Sequence, residues 1–273
     1  MSKDYSADEY KRELAWAYDL LTVAMRISAA AGGIDTTGRN IRAAQVYTRL
    51  VVSMYTFVRV LPGNPITTDA VPFWDWGSVA ALARAILEAY NVLYYVGIDS
   101  VDETELECRR ELLMLHLNSE KYRLYTEWGA PNEVLDEFRK GLPSQRERIQ
   151  RNSFFRTFPP KRQTVLLEGR AAMHLSHPDI AARSGILGKH FRALYRFLSN
   201  QVHSTPFAFL SQSNERGRGD ENDAERAYTI IAMQIVRECV GRAVLHISDI
   251  FPDQIKARFT EQLQRVQSIV DQP

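Results

Sequence analysis

A chain of 273 residues with 45% apolar side chains, 12 Tyr, 12 Phe and 4 Trp can fill a sizeable core. Its charges nearly cancel, 34 Lys and Arg against 33 Asp and Glu, which excludes a global basic field for nucleic acid or membrane surfaces and leaves only local patches open. The polar segment Met1 to Tyr10 carries no signal-peptide core, and no stretch of ~20 residues is free of charge, so no membrane span is expected. Cys108 and Cys239 fall inside helical patterns without metal-ligand spacing, which points to reduced, structural thiols and a cytoplasmic protein.

Helical periodicity dominates, with no internal repeat and no sustained strand-type alternation. A first helix is predicted over about Ala7 to Ala31, stopped by Gly32-Gly33, and a second over about Gly38 to Leu61, stopped by Pro62. A long loop with Phe73-Trp74-Asp75-Trp76 follows. The third helix covers about Ser78 to Gly97, and Asp102 caps a fourth that reaches Trp128. Pro131 opens a fifth, to about Asn152, with breaks at Gly141 and Pro143. Residues 153–184 read as irregular, with short helical pieces. A sixth helix is predicted over Gly185 to Ser204, then an exposed, mobile polar loop at 211–222, a seventh helix over Asp223 to Ile250 and an eighth, amphipathic, over 252–270. Long amphipathic helices joined by short turns predict an all-α, single-domain up-down bundle with additional peripheral helices, spanning 1–273.

Two helices carry polar stripes on otherwise apolar surfaces. In the third, Arg84, Glu88, Asn91 and Tyr95 follow at i, i+4, i+7 and i+11. A solvated face is normally wider, so this stripe is expected to be buried or to line a cleft. Arg84 and Glu88 then form either a structural ion pair or a pair that orients a third group. In the sixth, Tyr195, Ser199 and His203 step round beside the apolar face of Leu187, Phe191, Leu194, Leu198 and Val202, with Arg192 and Arg196 on the border. Arg196 and His203 are seven residues apart and share nearly one bearing. The two stripes are expected to face each other, with Glu88 accepting a hydrogen bond from His203, Tyr195 or Ser199. An imidazole can serve as general acid or base, and a neighbouring arginine can stabilise phosphorane charge. Those parts suffice for RNA cleavage without a metal, and they also occur in inert polar networks.

The Arg-x3-Glu of LARAILEAYNVLYYV (Arg84, Glu88) and the Tyr-x3-Ser-x3-His of LYRFLSNQVHSTP (Tyr195, Ser199, His203) resemble the signature of a group of uncharacterised bacterial helical proteins, a domain of unknown function. The resemblance covers roughly residues 40–250 and brings no established activity. The run from Arg196 to His203 is also similar to the R-x4–6-H pattern of the HEPN superfamily, although Phe197 stands where those proteins often place a polar residue. That second resemblance implies a ribonuclease of bacterial defence or toxin–antitoxin type, acting as a homodimer on RNA. Arg196 would stabilise the phosphate, His203 would do acid–base work, and Arg84, Glu88, Tyr195 and Ser199 would support them.

Elsewhere the residues say less. His174 and His177 lack a third ligand for zinc, no P-loop, GxSxG or HExxH is present, and no cofactor is expected. The segment Arg139 to Arg162 holds eight basic residues, Arg151 and Arg156 among them, against Glu147, interleaved with Phe154, Phe155 and Phe158. It suits either RNA contact with base stacking, with Arg151, Arg156 and Arg192 as substrate-binding candidates, or a solvated helix whose phenylalanines anchor a loop. The alternative to the enzyme is a non-catalytic helical interaction module in which the stripes are a sealed polar network. Exposure of His203 separates the two.

Overall fold

A computed structural model describes residues 5–67, 71–203, 205–210 and 216–272. The fold is all-α, with no strand among the described residues apart from an isolated antiparallel bridge between Trp74 and Gly219. In chain order the helices are α1 (Ala7–Ala30), α2 (Gly38–Val60), α3 (Trp76–Leu93, continued by a π turn Tyr94–Ile98), α4 (Glu103–Glu127), α5 (Asn132–Arg139), α6 (Leu142–Arg151), α7 (Ser153–Arg156), α8 (Pro160–Leu167), α9 (His177–Ser184), α10 (Phe191–Val202), α11 (Pro206–Leu210), α12 (Asp223–Ile250) and α13 (Thr260–Val270). Side-chain caps set several starts. Asp75 accepts from the Ser78 amide, Asp102 from Glu105 and Asn222 from Glu225, which satisfies amides that have no partner inside the helix.

The backbone gathers into two compact units, Met1–Ile98 with Ile180–Pro273, and Asp99–Asp179. In the first, a bundle, α2 packs on α1 and α3, and α12 lies against α1, α2, α3 and α13. α10 packs on α3. With three helices around it, α3 buries Val79, Ala80, Ala83, Ile86, Leu87, Tyr90 and Leu93, which explains its nearly continuous apolar sequence. Trp76–Ile98 is the described segment long and apolar enough to cross a membrane, and more than half of it is buried in this core. In the second unit, α4 packs on α5, α6, α7 and α8 around Cys108, Leu112, Leu115, Leu142, Ile149, Phe155 and Leu166.

Three elements differ from the sequence reading. The sixth predicted helix starts six residues late, because Gly185, Leu187 and Gly188 all have positive φ and break the right-handed coil. Leu187 adopts φ 55° with its amide donating to Glu238 Oε1 at 3.1 Å. Such a conformation is uncommon for a side-chain-bearing residue. The eighth helix is split into a π turn, Pro252–Lys256, and α13, which together bury Ile255, Val266 and Ile269. Of the polar 211–222 loop, 211–215 lie outside the described residues. Most of the rest is exposed, and two of its residues are anchored to the bundle. Trp74 donates its amide to the Gly219 carbonyl at 2.9 Å, and Arg216 pairs with the buried Glu225 at 3.1 Å. Gly219 sits at φ 89°, and a Cβ there would strike the Phe73 ring.

Both cysteines are fully buried and free. Burial pushes the Cys108 thiol up to about 12 and the Cys239 thiol well above its ordinary value. Neither thiolate is available to an electrophile in the folded chain. A thiol reagent at pH 8 is expected to label neither cysteine in native protein and both in denaturant. Rapid labelling of the native chain would place a cysteine at the surface.

Candidate functional site

The polar stripes of α3 and α10 meet. Tyr195 donates its hydroxyl to Glu88 Oε1 at 2.7 Å, and Arg84 Nε donates to the same oxygen at 3.1 Å. Arg84 Nη2 donates to the Tyr195 hydroxyl at 3.2 Å, and its guanidinium lies over the Tyr195 ring, 4.8 Å from the centroid. Arg84 Nη1 reaches His203 Nε2 at 3.4 Å. The Ser199 hydroxyl turns inward to its own helix and donates to the Tyr195 carbonyl at 2.6 Å. Phe191 stacks on Tyr195, centroids 5.6 Å apart. Each Arg84 nitrogen therefore has a different partner, and the planar fork is held in one orientation.

This network is half-buried, not sealed. The Arg84 side chain is 17% exposed and the Glu88 side chain 34%, and His203 is exposed at the C-terminal cap of α10. Lower on the same α3 stripe, Asn91 and Tyr95 are buried. The stripe thus runs from the core to the surface. Burial works against the Arg84 charge, but the hydrogen bond and charge of Glu88, with Tyr195, more than offset it and hold the guanidinium above its ordinary value. Burial, then the Glu88 hydrogen bond and charge, push the Tyr195 hydroxyl up against an opposing pull from Arg84. Tyr195 stays a protonated donor at neutral pH.

A fully buried pair would lose about 3–5 kcal/mol on removal of one partner. With Glu88 a third exposed, water can solvate the stranded guanidinium, and Glu88→Ala is expected to cost about 1–2 kcal/mol in a denaturant titration. A loss above about 3 kcal/mol would mean that water does not reach the pair.

The remaining candidates lie elsewhere. Arg192 and Arg196 are exposed, and neither makes a hydrogen bond or ion pair with a described residue. The arginine that reaches His203 is Arg84. Arg151 and Arg156 belong to the Asp99–Asp179 unit. Arg151 pairs with Glu147, and Arg156 donates to the Gln150 carbonyl at 2.9 Å. Acids outside the run neutralise part of it, the neighbouring Asp136 against Arg139 and Lys140, and Glu111, 37 residues away, against Arg148. Phe155 is fully buried, and Phe154 and Phe158 pack on the unit's core and on His174, so these rings serve as the loop anchors. Among the described residues, no group of three His, Cys, Asp or Glu side chains is placed to hold a metal ion.

The sequence reading missed a fully buried cluster in the same unit. Arg109 bonds Asp99 at 2.6 Å and Glu105 at 2.9 Å, with His174 Nε2 3.6 Å from Glu105. It also missed Trp76 and Glu225, two buried residues that line a cavity beside the C-terminal end of α10. Trp76 looked like part of a loop, and Glu225 like the first turn of a solvated helix.

No family model matches the chain, and no solved structure matches it. Among curated proteins, anthranilate phosphoribosyltransferase from Lacticaseibacillus casei (strain BL23) is 26% identical over 152 residues, which is 50% of this chain and 44% of that enzyme. The match thus spans less than half the length of that relative.

Proposed function

We propose that the chain is a metal-independent ribonuclease of HEPN-like type, with His203 and Arg84 as its working pair. The observation that carries this reading is the exposed His203 imidazole, 3.4 Å from an arginine whose other nitrogens are held by Glu88 and Tyr195. A sealed structural network would hide His203. In the proposed reaction a phosphate enters beside Arg84 and takes over the Nη1 hydrogen bond, which releases His203 Nε2. The ribose 2′-oxygen attacks phosphorus, and the imidazole takes its proton. Arg84 stabilises the phosphorane charge, the P–O5′ bond breaks, and the same proton is returned to the leaving 5′-oxygen. The products are a 2′,3′-cyclic phosphate and a 5′-hydroxyl. Glu88 and Tyr195 hold the guanidinium in place.

The test is cleavage of single-stranded RNA by the purified chain in EDTA, with the ends read by mass spectrometry. Cyclic-phosphate ends with wild type, and intact RNA with a folded His203→Ala variant, are the expected result. Equal cleavage by both overturns the mechanism. The HEPN resemblance further implies two copies acting together, which light scattering on the purified chain would detect as twice the chain mass.

A second reading, an interaction module, is favoured by a separate observation. Phe207, Phe209 and Leu210 of α11 and Val202 of α10 are 41–74% exposed, a concentration of apolar surface that commonly marks a docking face. RNA left intact by a folded wild-type chain would favour it.

A further inference from the structure

The helices α1 and α2 break the charge balance of the chain. From Leu20 to Thr68 the sequence holds five arginines, Arg26, Arg39, Arg42, Arg49 and Arg59, against one acid, Asp35. Asp35 lies in the turn between the two helices. Three contacts set them side by side and antiparallel. Tyr10 donates to the Pro62 carbonyl at 2.8 Å, Tyr47 donates to the Ala24 carbonyl at 3.1 Å, and the Ser28 and Thr48 hydroxyls hydrogen-bond at 3.1 Å. That register puts Tyr18 beside Tyr55, and Met25 beside Thr48 and Val52. On α2, Thr48, Arg49, Val52, Tyr55, Thr56 and Arg59 recur at helical spacing and are all exposed, so they form one outward row. Tyr18, Met25 and Arg26 of α1 are exposed beside it. Tyr18, Met25, Val52 and Tyr55 are 37–62% open to solvent. Arg26, Arg49 and Arg59 make no ion pair with a described residue, and Arg59 lies over the Tyr55 ring, 5.9 Å from its centroid. Asp19, next to Tyr18 in sequence, is turned to Arg265 of α13 at 2.9 Å. The basic run of the other unit differs, because acids stand against several of its arginines. The α1–α2 face keeps unpaired guanidinium groups, hydroxyls and aromatic rings together, with no carboxylate among the exposed residues of this stretch of either helix.

We infer that the outward face of α1 and α2 is a holding surface for single-stranded RNA, an inference that rests on the ribonuclease reading. Charge complementarity calls for a polyanion, since three exposed cations stand on this face without a counter-charge. Each guanidinium can take a phosphate through two parallel N–H donors. The Thr48 and Thr56 hydroxyls add further contacts to the sugar–phosphate backbone, and the Tyr18 and Tyr55 rings offer platforms on which bases stack whatever their sequence. Arg49 and Arg59 are ten residues apart on α2, about 15 Å along its axis, a length that several nucleotides of one strand cover. The same features argue against an anionic membrane. A helix that lies in a membrane surface presents a continuous apolar face, whereas here Val52 is flanked by Thr48, Arg49 and Thr56. None of these residues belongs to α3 or α10, so the face holds the strand and takes no part in the chemistry at Arg84 and His203.

The experiment is fluorescence anisotropy of a labelled single-stranded RNA of mixed sequence, titrated with the full chain carrying His203→Ala so that the strand stays intact. Binding is expected at low salt. Adding Arg26→Gln, Arg49→Gln and Arg59→Gln together should weaken it ~10-fold or more and flatten the slope of log K against log salt by about 2, the loss of three phosphate contacts on a single strand. Tyr18→Ala with Tyr55→Ala should weaken it ~10-fold with the salt slope unchanged, because stacking releases no counterions. All five positions are exposed, so both variants should melt as the parent chain does. Absence of RNA binding overturns the face, as does binding that neither set of substitutions weakens. Binding to vesicles of equal parts phosphatidylcholine and phosphatidylserine that needs the three arginines, without RNA binding, overturns it in favour of a membrane surface. With His203 intact, the triple arginine variant should raise KM ~10-fold and leave kcat unchanged, the signature of lost uniform binding. RNA binding that needs the three arginines, with no cleavage by wild type, overturns the ribonuclease and keeps the face. Cleavage that depends on His203, with KM the same in wild type and the triple arginine variant, overturns the face alone.

Discussion

Replacing Arg109 with alanine is expected to cost about 3–5 kcal/mol of stability, felt first in the Asp99–Asp179 unit. Arg109 is 1% exposed and is the described cation against Asp99 and Glu105, themselves 7% and 9% exposed. Removing the guanidinium leaves two carboxylates close together in a poorly solvated space, where each loses its charged hydrogen bonds and the two repel. The cost comes from the stranded partners more than from the lost attraction. A combined variant, Asp99→Asn, Glu105→Gln and Arg109→Met, removes all three charges and is expected to recover most of the loss. Denaturant titration gives the magnitudes, and amide exchange along α4 and α6 locates the effect. A loss below about 1 kcal/mol for Arg109→Ala would show that water reaches the cluster and that the network is ornamental.

That cluster also marks where the sequence stops being informative. Arg109 and Glu105 are readable as an i, i+4 pair on α4, a spacing that usually describes a solvated face. Their burial depends on α7, α8 and the His174 segment folding over them, through contacts up to ~70 residues away that no local pattern encodes. The α3 and α10 stripes were legible for the opposite reason. Each is a polar interruption of an apolar surface, so its direction follows from helical periodicity and the hydrophobic setting alone. The pairing of Tyr195 with Glu88, 107 residues apart, follows once both stripes must avoid the core. Depth was not legible. The sequence left open whether the stripe is buried or lines a cleft; in the structure it is both, with Asn91 and Tyr95 buried and the Arg84 and Glu88 side chains 17% and 34% exposed near the C-terminal end of α10. The choice of arginine was not legible either. Arg196 shares the bearing of His203 along one helix, but its side chain is directed to solvent, while Arg84 arrives from a different helix.

That last difference yields the sharpest functional test. If His203 and Arg84 cleave RNA together, His203→Ala and Arg84→Ala should each lower the single-turnover rate by ~10²-fold or more, the usual scale for losing an acid–base group or a charge stabiliser. The double variant should fall little below either single variant, because groups that act in one step are not additive. Arg196→Ala is expected to lose only ~10-fold or less, felt in KM rather than kcat, since an exposed arginine without a fixed partner contributes attraction to phosphate but no preorganised geometry. Tyr195→Phe keeps the ring under the guanidinium and deletes the hydroxyl that bridges Arg84 and Glu88. It should fall between these limits, with kcat reduced and the melting profile close to wild type. Each variant is compared only if it melts as wild type does. A rate unchanged by Arg84→Ala but abolished by Arg196→Ala would return the phosphate-stabilising role to α10 and leave Arg84 as a structural brace for Tyr195.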